Sequence, residues 1–290
     1  MNVPDLDTTR FTSLPEEVQR DARAVALSLD GHERLGVAFS GGVDSALLLA
    51  LAVAALGRAH VVALLAVSPS LARRELVSAR ATASEIGAEL VEFTTHEDAN
   101  PAYRANEADR CFHCKNEMFT VIDSDLMARL GLDAVAYGEN ADDAVREDRP
   151  GARAAAAHQV LRPLAAAGLT KSRVRALAQA MGISVAHKPA APCLASRIPH
   201  GEVVTPEKLR QIEEAEDVLS ALGFADCRVR HHGEIARIEV LAADIARFAE
   251  EAVKEQVVAG VRQAGFRFVT VDLSGLQSGA FTLQVVRARG

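Results

Sequence analysis

No stretch of this 290-residue sequence stays apolar long enough to cross a bilayer, which takes about 20 consecutive apolar residues. The longest candidate, Ala46 to Leu56, follows a polar glycine loop and stops at Gly57, so it reads as a buried helix. Met1 to Pro15 is polar and acidic, without the apolar segment of a secretory signal, and a cytoplasmic location is the expectation. Excess positive charge is also missing: 32 Lys and Arg against 39 Asp and Glu give a formal charge of −7. Phosphate backbones need clustered cations, so a general nucleic-acid binder is disfavoured, although an acidic chain can still carry a local basic groove. Cysteine is scarce at four residues. In a reducing compartment so few thiols point to metal ligation or catalysis before a disulfide framework. Internal repeats are absent, and alanine-rich helices are the nearest thing to low complexity.

What is present is an ordinary globular balance, 49% hydrophobic and 24% charged. The length favours one large domain and a smaller one. Short apolar runs alternate with helical segments through the first half, the signature of an α/β fold with a doubly wound parallel sheet. Leu35 to Phe39, Val61 to Val67, Glu89 to Thr94 and Asp133 to Tyr137 read as strands. Ser45 to Leu56, Leu71 to Ile86, Cys111 to Leu130 and Lys171 to Met181 read as helices. An irregular stretch, His187 to Val204, reads as a functional loop. Beyond it the pattern changes. Thr205-Pro206-Glu207 starts an amphipathic helix, and strands at Cys227 to Arg230, Glu234 to Val240 and Phe266 to Leu273 enclose another helix. The expected division is a domain over 15–204 and a small α+β domain over 205–290, serving substrate binding or oligomerisation.

Between the first strand and its helix lies Ser40-Gly41-Gly42-Val43-Asp44-Ser45. A triphosphate needs several donors on a tight curve with no side chain in the way. Two glycines allow that curve, the helix start supplies amides and positive potential, and Ser40 and Ser45 add hydroxyls. Asp44 would repel phosphate unless a magnesium ion lay between them. The loop lacks the Gly-Lys ending of a Walker A motif. Gly138-Glu139-Asn140-Ala141-Asp142-Asp143 leaves the fourth strand at the same sheet end, where doubly wound folds bind ligands. Asp142 and Asp143 read equally as metal ligands or as a helix cap.

Cys111 and Cys114 stand one helical turn apart, so both can address one centre, and Cys193 lies in the irregular loop. Three thiolates on a four-iron cluster would leave one iron open. Zinc would recruit a fourth ligand, with His113 at hand, and Cys193 alone could serve as a nucleophile or sulfur donor without metal. The iron–sulfur reading is preferred. Cys227, in a strand of the second domain, reads as buried packing.

The hexapeptide resembles the PP-loop of the ATP-pyrophosphatase superfamily, whose fold is adenine nucleotide alpha hydrolase-like. The resemblance implies that ATP and Mg2+ bind at Ser40, Gly41, Gly42, Asp44, Ser45 and Gly138. It also implies that the backbone of Ala66 to Ser68 reads adenine. Over nearly the whole length the chain is similar to the LarE family of sulfur-insertion enzymes. The shared features are V-A-F-S-G-G-V-D-S, Asp148 to Gly151, the loop from Cys193 to Gly201, Cys227 to Arg230, and Arg267 to Leu273. That resemblance implies adenylation of the carboxylates of pyridinium-3,5-dicarboxylate mononucleotide, with release of AMP and pyrophosphate, followed by replacement of oxygen with sulfur for the nickel-pincer nucleotide. Some members sacrifice a loop cysteine, here Cys193. Others hold a [4Fe-4S] cluster, here on Cys111, Cys114 and Cys193. Arg228 and Arg230 would clamp the substrate phosphate, against the alternative of a solvated strand face. Arg197 would steady the activated intermediate, with Cys193 and Asp44 as the other catalytic residues, and Glu216 matches a substrate-site position. The implied partners are a small-molecule nucleotide, a sulfur donor and further copies of the chain, with no nucleic acid or membrane. A tRNA thiolase and an ATP-binding sensor without chemistry are the alternatives.

Overall fold

A computed structural model describes residue 12 and residues 15–144 and 150–276. Asp148 and Arg149 of the family-like run at Asp148 to Gly151 therefore lie outside the described residues. The chain forms two compact units. The first comprises residues 1–68, 73–97 and 111–191, and the second residues 69–72, 98–110 and 192–290.

The first unit is built on four parallel strands, β1 (Leu35–Ala38), β2 (Val61–Val67), β3 (Glu89–Thr94) and β4 (Ala134–Tyr137), in the order β3-β2-β1-β4. Leu161 extends the sheet past β4 by a parallel bridge to Ala136. The central strands are apolar and covered on both faces, as parallel sheets require. Gly36 keeps β1 slim: a Cβ there would stand 2.8 Å from side-chain carbons of Leu64 and Leu132. Helix Val43–Leu56 follows β1 and is buried almost all round, which its continuous apolar composition demands. The segment read as helical from Cys111 to Leu130 is helical throughout, with a π-turn at Ile122–Leu126. Phe119, Ile122, Leu126 and Val135 fill one core of this unit. Each such side chain contributes about 1.5–3 kcal/mol on burial.

The second unit holds β5 (Cys227–His232) and β6 (Ile235–Val240), antiparallel around Gly233, whose φ of +61° suits glycine. β7 (Phe268–Val271) pairs parallel with β6 after helix Glu251–Gln263. Helix Pro206–Ala221 starts with Pro at its first turn and Thr205 as cap, whose side chain accepts from the Lys208 amide. Leu219, Phe224, Val229, Ile238, Val257 and Phe266 make the core, and Cys227 packs within it. Among the described residues no helix is long and apolar enough to cross a membrane.

Candidate active site

In the first unit the turn out of β1 carries Ser40 to Ser45. Gly41 has a φ of +70°, and a Cβ on it would stand 2.7 Å from that of Ala79, so conformation and packing both demand glycine. Ser45 Oγ donates to the Gly42 carbonyl at 3.0 Å and accepts from the Ser40 amide at 3.2 Å. Gly42 caps helix Val43–Leu56, and having no side chain it leaves the first-turn amides to an anion. Gly138, one residue past β4, lies against this loop: a Cβ there would be 2.9 Å from the Asp44 carbonyl carbon and the Ser45 nitrogen. Ser68 follows β2 at the same end of the parallel sheet. The predicted ATP residues of this unit thus lie together at the carboxyl end of the parallel sheet.

Asn140, named in the sequence only as part of the strand-four exit, and Lys171, not foreseen at this site, complete the network. Asn140, almost fully buried, donates to Asp44 Oδ1 at 3.1 Å and to Asp143 Oδ2 at 2.9 Å. The Lys171 ammonium pairs with Asp44 Oδ2. A cation and an amide therefore restrain the Asp44 carboxylate, which the sequence leads one to expect beside magnesium. Asp142 accepts from the backbone amide of Lys171 at 2.7 Å, and the Asp143 amide is capped by Asn140 Oδ1 at 3.0 Å. The acidic pair is thereby engaged at helix starts, with Asn140 acting as the cap.

Cys111 and Cys114 lie in the first turn and a half of helix Arg110–Val121, and the Cys114 thiol donates to buried Glu97 at 3.9 Å. The pair has the donor chemistry and spacing for a soft metal. Among the described residues no three His, Cys, Asp or Glu side chains gather as a metal site. Cys193 belongs to the second unit, where its side chain is exposed.

Within that unit the Cys193 loop meets an arginine cluster. Arg197 grips Glu216 through Nε to Oε1 at 2.8 Å and Nη2 to Oε2 at 3.2 Å, and its Nη1 donates to the Cys193 carbonyl at 3.2 Å. Glu216 Oε1 also accepts from the Val229 amide of β5 at 3.0 Å. Arg230 donates to the Ser196 carbonyl at 3.0 Å and pairs with Glu239 at 2.8 Å. Arg228 and Arg230 are only 5% and 3% exposed, which corrects the solvated-face alternative. Burial, then the charges of Arg197 and Arg230, push the Arg228 guanidinium below its usual range. Asp226 and Glu239 offset part of that repulsion. Glu239 was not legible in the sequence as part of this cluster.

Comparison with known proteins bears on the family of the chain. The asparagine synthase family model matches residues 21–225, spanning the phosphate loop and the Cys193 loop. A protein of Lactiplantibacillus plantarum named pyridinium-3,5-bisthiocarboxylic acid mononucleotide synthase is 34% identical over 262 residues, covering 90% of this chain and 94% of that one. An uncharacterized Synechocystis protein is 42% identical over 85% of this chain and 91% of its own. Another, from Methanocaldococcus jannaschii, is 26% identical over 83% of this chain and 90% of its own. The phosphate loop and the extent of these matches place the chain in the LarE family of PP-loop, ATP-utilising enzymes.

Proposed function

We propose that this enzyme adenylates the carboxylates of pyridinium-3,5-dicarboxylate mononucleotide and replaces an oxygen of each with sulfur. The product is the type of compound for which the Lactiplantibacillus relative is named. A carboxylate oxygen attacks the α-phosphorus of ATP, and the bond to the β,γ-phosphates breaks to release pyrophosphate. A sulfur nucleophile then adds to the acyl carbon, and AMP departs with the original oxygen. Ser40, Gly41, Gly42 and Ser45 hold the β- and γ-phosphates, Asp44 takes the magnesium ion, and Ser68 with Gly138 borders the nucleotide. Arg228 and Arg230 hold the substrate phosphate, and Arg197, oriented by Glu216, faces the charge that develops on the activated carboxyl.

The observation that carries this reading is that the Cys193 loop and the arginine strand are one hydrogen-bonded assembly. A sulfur-handling thiol and a phosphate clamp are what thiolation of a nucleotide needs side by side. Cys111, Cys114 and Cys193 are proposed as ligands of a [4Fe-4S] cluster, whose chemistry would be that of a renewable sulfide source. The C-x-x-C turn supports this, since a sacrificial Cys193 would have no need of it.

The function is tested by pyrophosphate release from Mg-ATP, which should depend on the pyridinium nucleotide. Nucleotide-independent release, or none, would overturn the reading. Iron and acid-labile sulfide after anaerobic purification test the cluster: near four of each per chain is expected by the cluster's composition, with loss in Cys193→Ser. Iron-free protein with full single-turnover activity would refute the cluster and leave Cys193 as the donor.

A further inference from the structure

The loop bearing Cys193 has little secondary structure of its own, yet its main chain is tied down from Leu194 to Val204 by other parts of the second unit. The Leu194 amide donates to the Ser70 carbonyl at 2.9 Å, and the Val204 amide to that of Arg104 at 2.9 Å. Between these ends the loop hangs on Asn106. That residue is fully buried with a φ of +58°, a left-handed conformation that asparagine tolerates better than most residues. Its Nδ2 donates to the carbonyls of Pro199 (2.7 Å) and Ile198 (3.2 Å), and its carbonyl accepts from the Gly201 amide (3.2 Å) and His200 Nδ1 (3.1 Å). Arg110, 7% exposed, completes the brace: one Nη1 donates to Asn106 Oδ1 and to the Ala195 carbonyl at 2.9 Å.

Burying a guanidinium is costly, and a neutral side chain could fill the same space. The cation is instead spent on a carbonyl two residues beyond Cys193. We propose that Arg110, seated by Asn106, is a positioning residue for Cys193 that sets the main chain from which the thiol projects. This inference rests on the reading that Cys193 carries the sulfur chemistry.

The test uses the full chain with Arg110→Gln, Arg110→Lys and Cys193→Ser. In Arg110→Gln, amides of Ser196 and Ile198 should exchange hydrogen about tenfold faster while helix Pro206–Ala221 is unchanged, a local rather than global opening. Its kcat for thiolation should fall by about 10–100-fold, the usual effect of slight misplacement, with unchanged KM for the nucleotide and unchanged pyrophosphate release. Arg110→Lys, which keeps a cationic donor, should recover part of both. Wild-type exchange and kcat in Arg110→Gln, or faster exchange spread equally over the helix, would overturn the proposal. If the glutamine variant does not fold, Asn106→Gly, which keeps the backbone conformation and drops the amide bonds, gives the same readouts. A thiolating Cys193→Ser would remove the underlying reading, whereas an inactive Cys193→Ser beside a normal Arg110→Gln would sink the positioning role alone.

Discussion

Cutting Glu216 back to alanine probes the arginine cluster through stability, independently of any substrate. Glu216 has no exposed side-chain surface and Arg197 only 4%. The carboxylate satisfies two nitrogens of Arg197 and the Val229 amide. Its removal leaves a buried guanidinium uncompensated, in a neighbourhood where Arg228 already feels Arg197 and Arg230 as repulsive charges. Breaking such a pair costs about 3–5 kcal/mol. At about 2–4 °C per kcal/mol for a chain of this order of size, the melting temperature should fall by roughly 6–20 °C. The paired variant Glu216→Leu with Arg197→Met removes both charges and leaves the Val229 amide unsatisfied, a residual cost of about 1–3 kcal/mol. It should therefore recover a large part of the loss. The assay is thermal unfolding followed by circular dichroism at one protein concentration. A drop under about 2 °C in Glu216→Ala, or a paired variant no more stable than the single one, would refute the reasoning.

Arg228→Ala should weaken the pyridinium nucleotide at least tenfold in calorimetry while ATP affinity stays within about twofold, because a lost charge-assisted phosphate contact is worth roughly 1.5–3 kcal/mol; equal loss of both ligands would contradict the clamp. Gly138→Ala drives a methyl into the loop backbone at Asp44 and Ser45. It should cost about 1–3 kcal/mol and lower ATP affinity, and unchanged nucleotide binding would show that the close approach is unimportant. Burial and then the charge of Lys208 hold buried His231 below the usual histidine range. The folded state thus binds fewer protons than the unfolded one, so the contribution to stability is complete above about pH 6.5 and is lost as pH falls below it. His231→Gln should flatten the stability profile below about pH 6.5, and a parallel profile would exclude His231 as its source.

Local chemistry explains what could be read without coordinates. The S-G-G-x-D-S turn, the C-x-x-C spacing and the Thr-Pro helix start are each fixed by residues within one turn of one another, and strand and helix periods are equally local. The contacts that finish the site are not. Asn140 and Lys171 reach Asp44 across 96 and 127 residues, and Arg110 reaches Ala195 across 85. No periodicity marks such pairs. The R-V-R alternation of β5 matches an exposed face as well as a buried one, and the partner that receives Arg230, Glu239, lies on the next strand. The short segments 69–72 and 98–110, which join the second unit, carry too little pattern to announce it.

The central claim is the exchange of carboxylate oxygen for sulfur at the expense of ATP. Its most direct test is mass spectrometry of pyridinium-3,5-dicarboxylate mononucleotide incubated anaerobically with the enzyme, Mg-ATP and sulfide. The account predicts a product carrying sulfur in place of oxygen, one AMP formed per exchange, and no product from Cys193→Ser. Unchanged substrate beside continuing ATP cleavage, or thiolation without AMP, would contradict it.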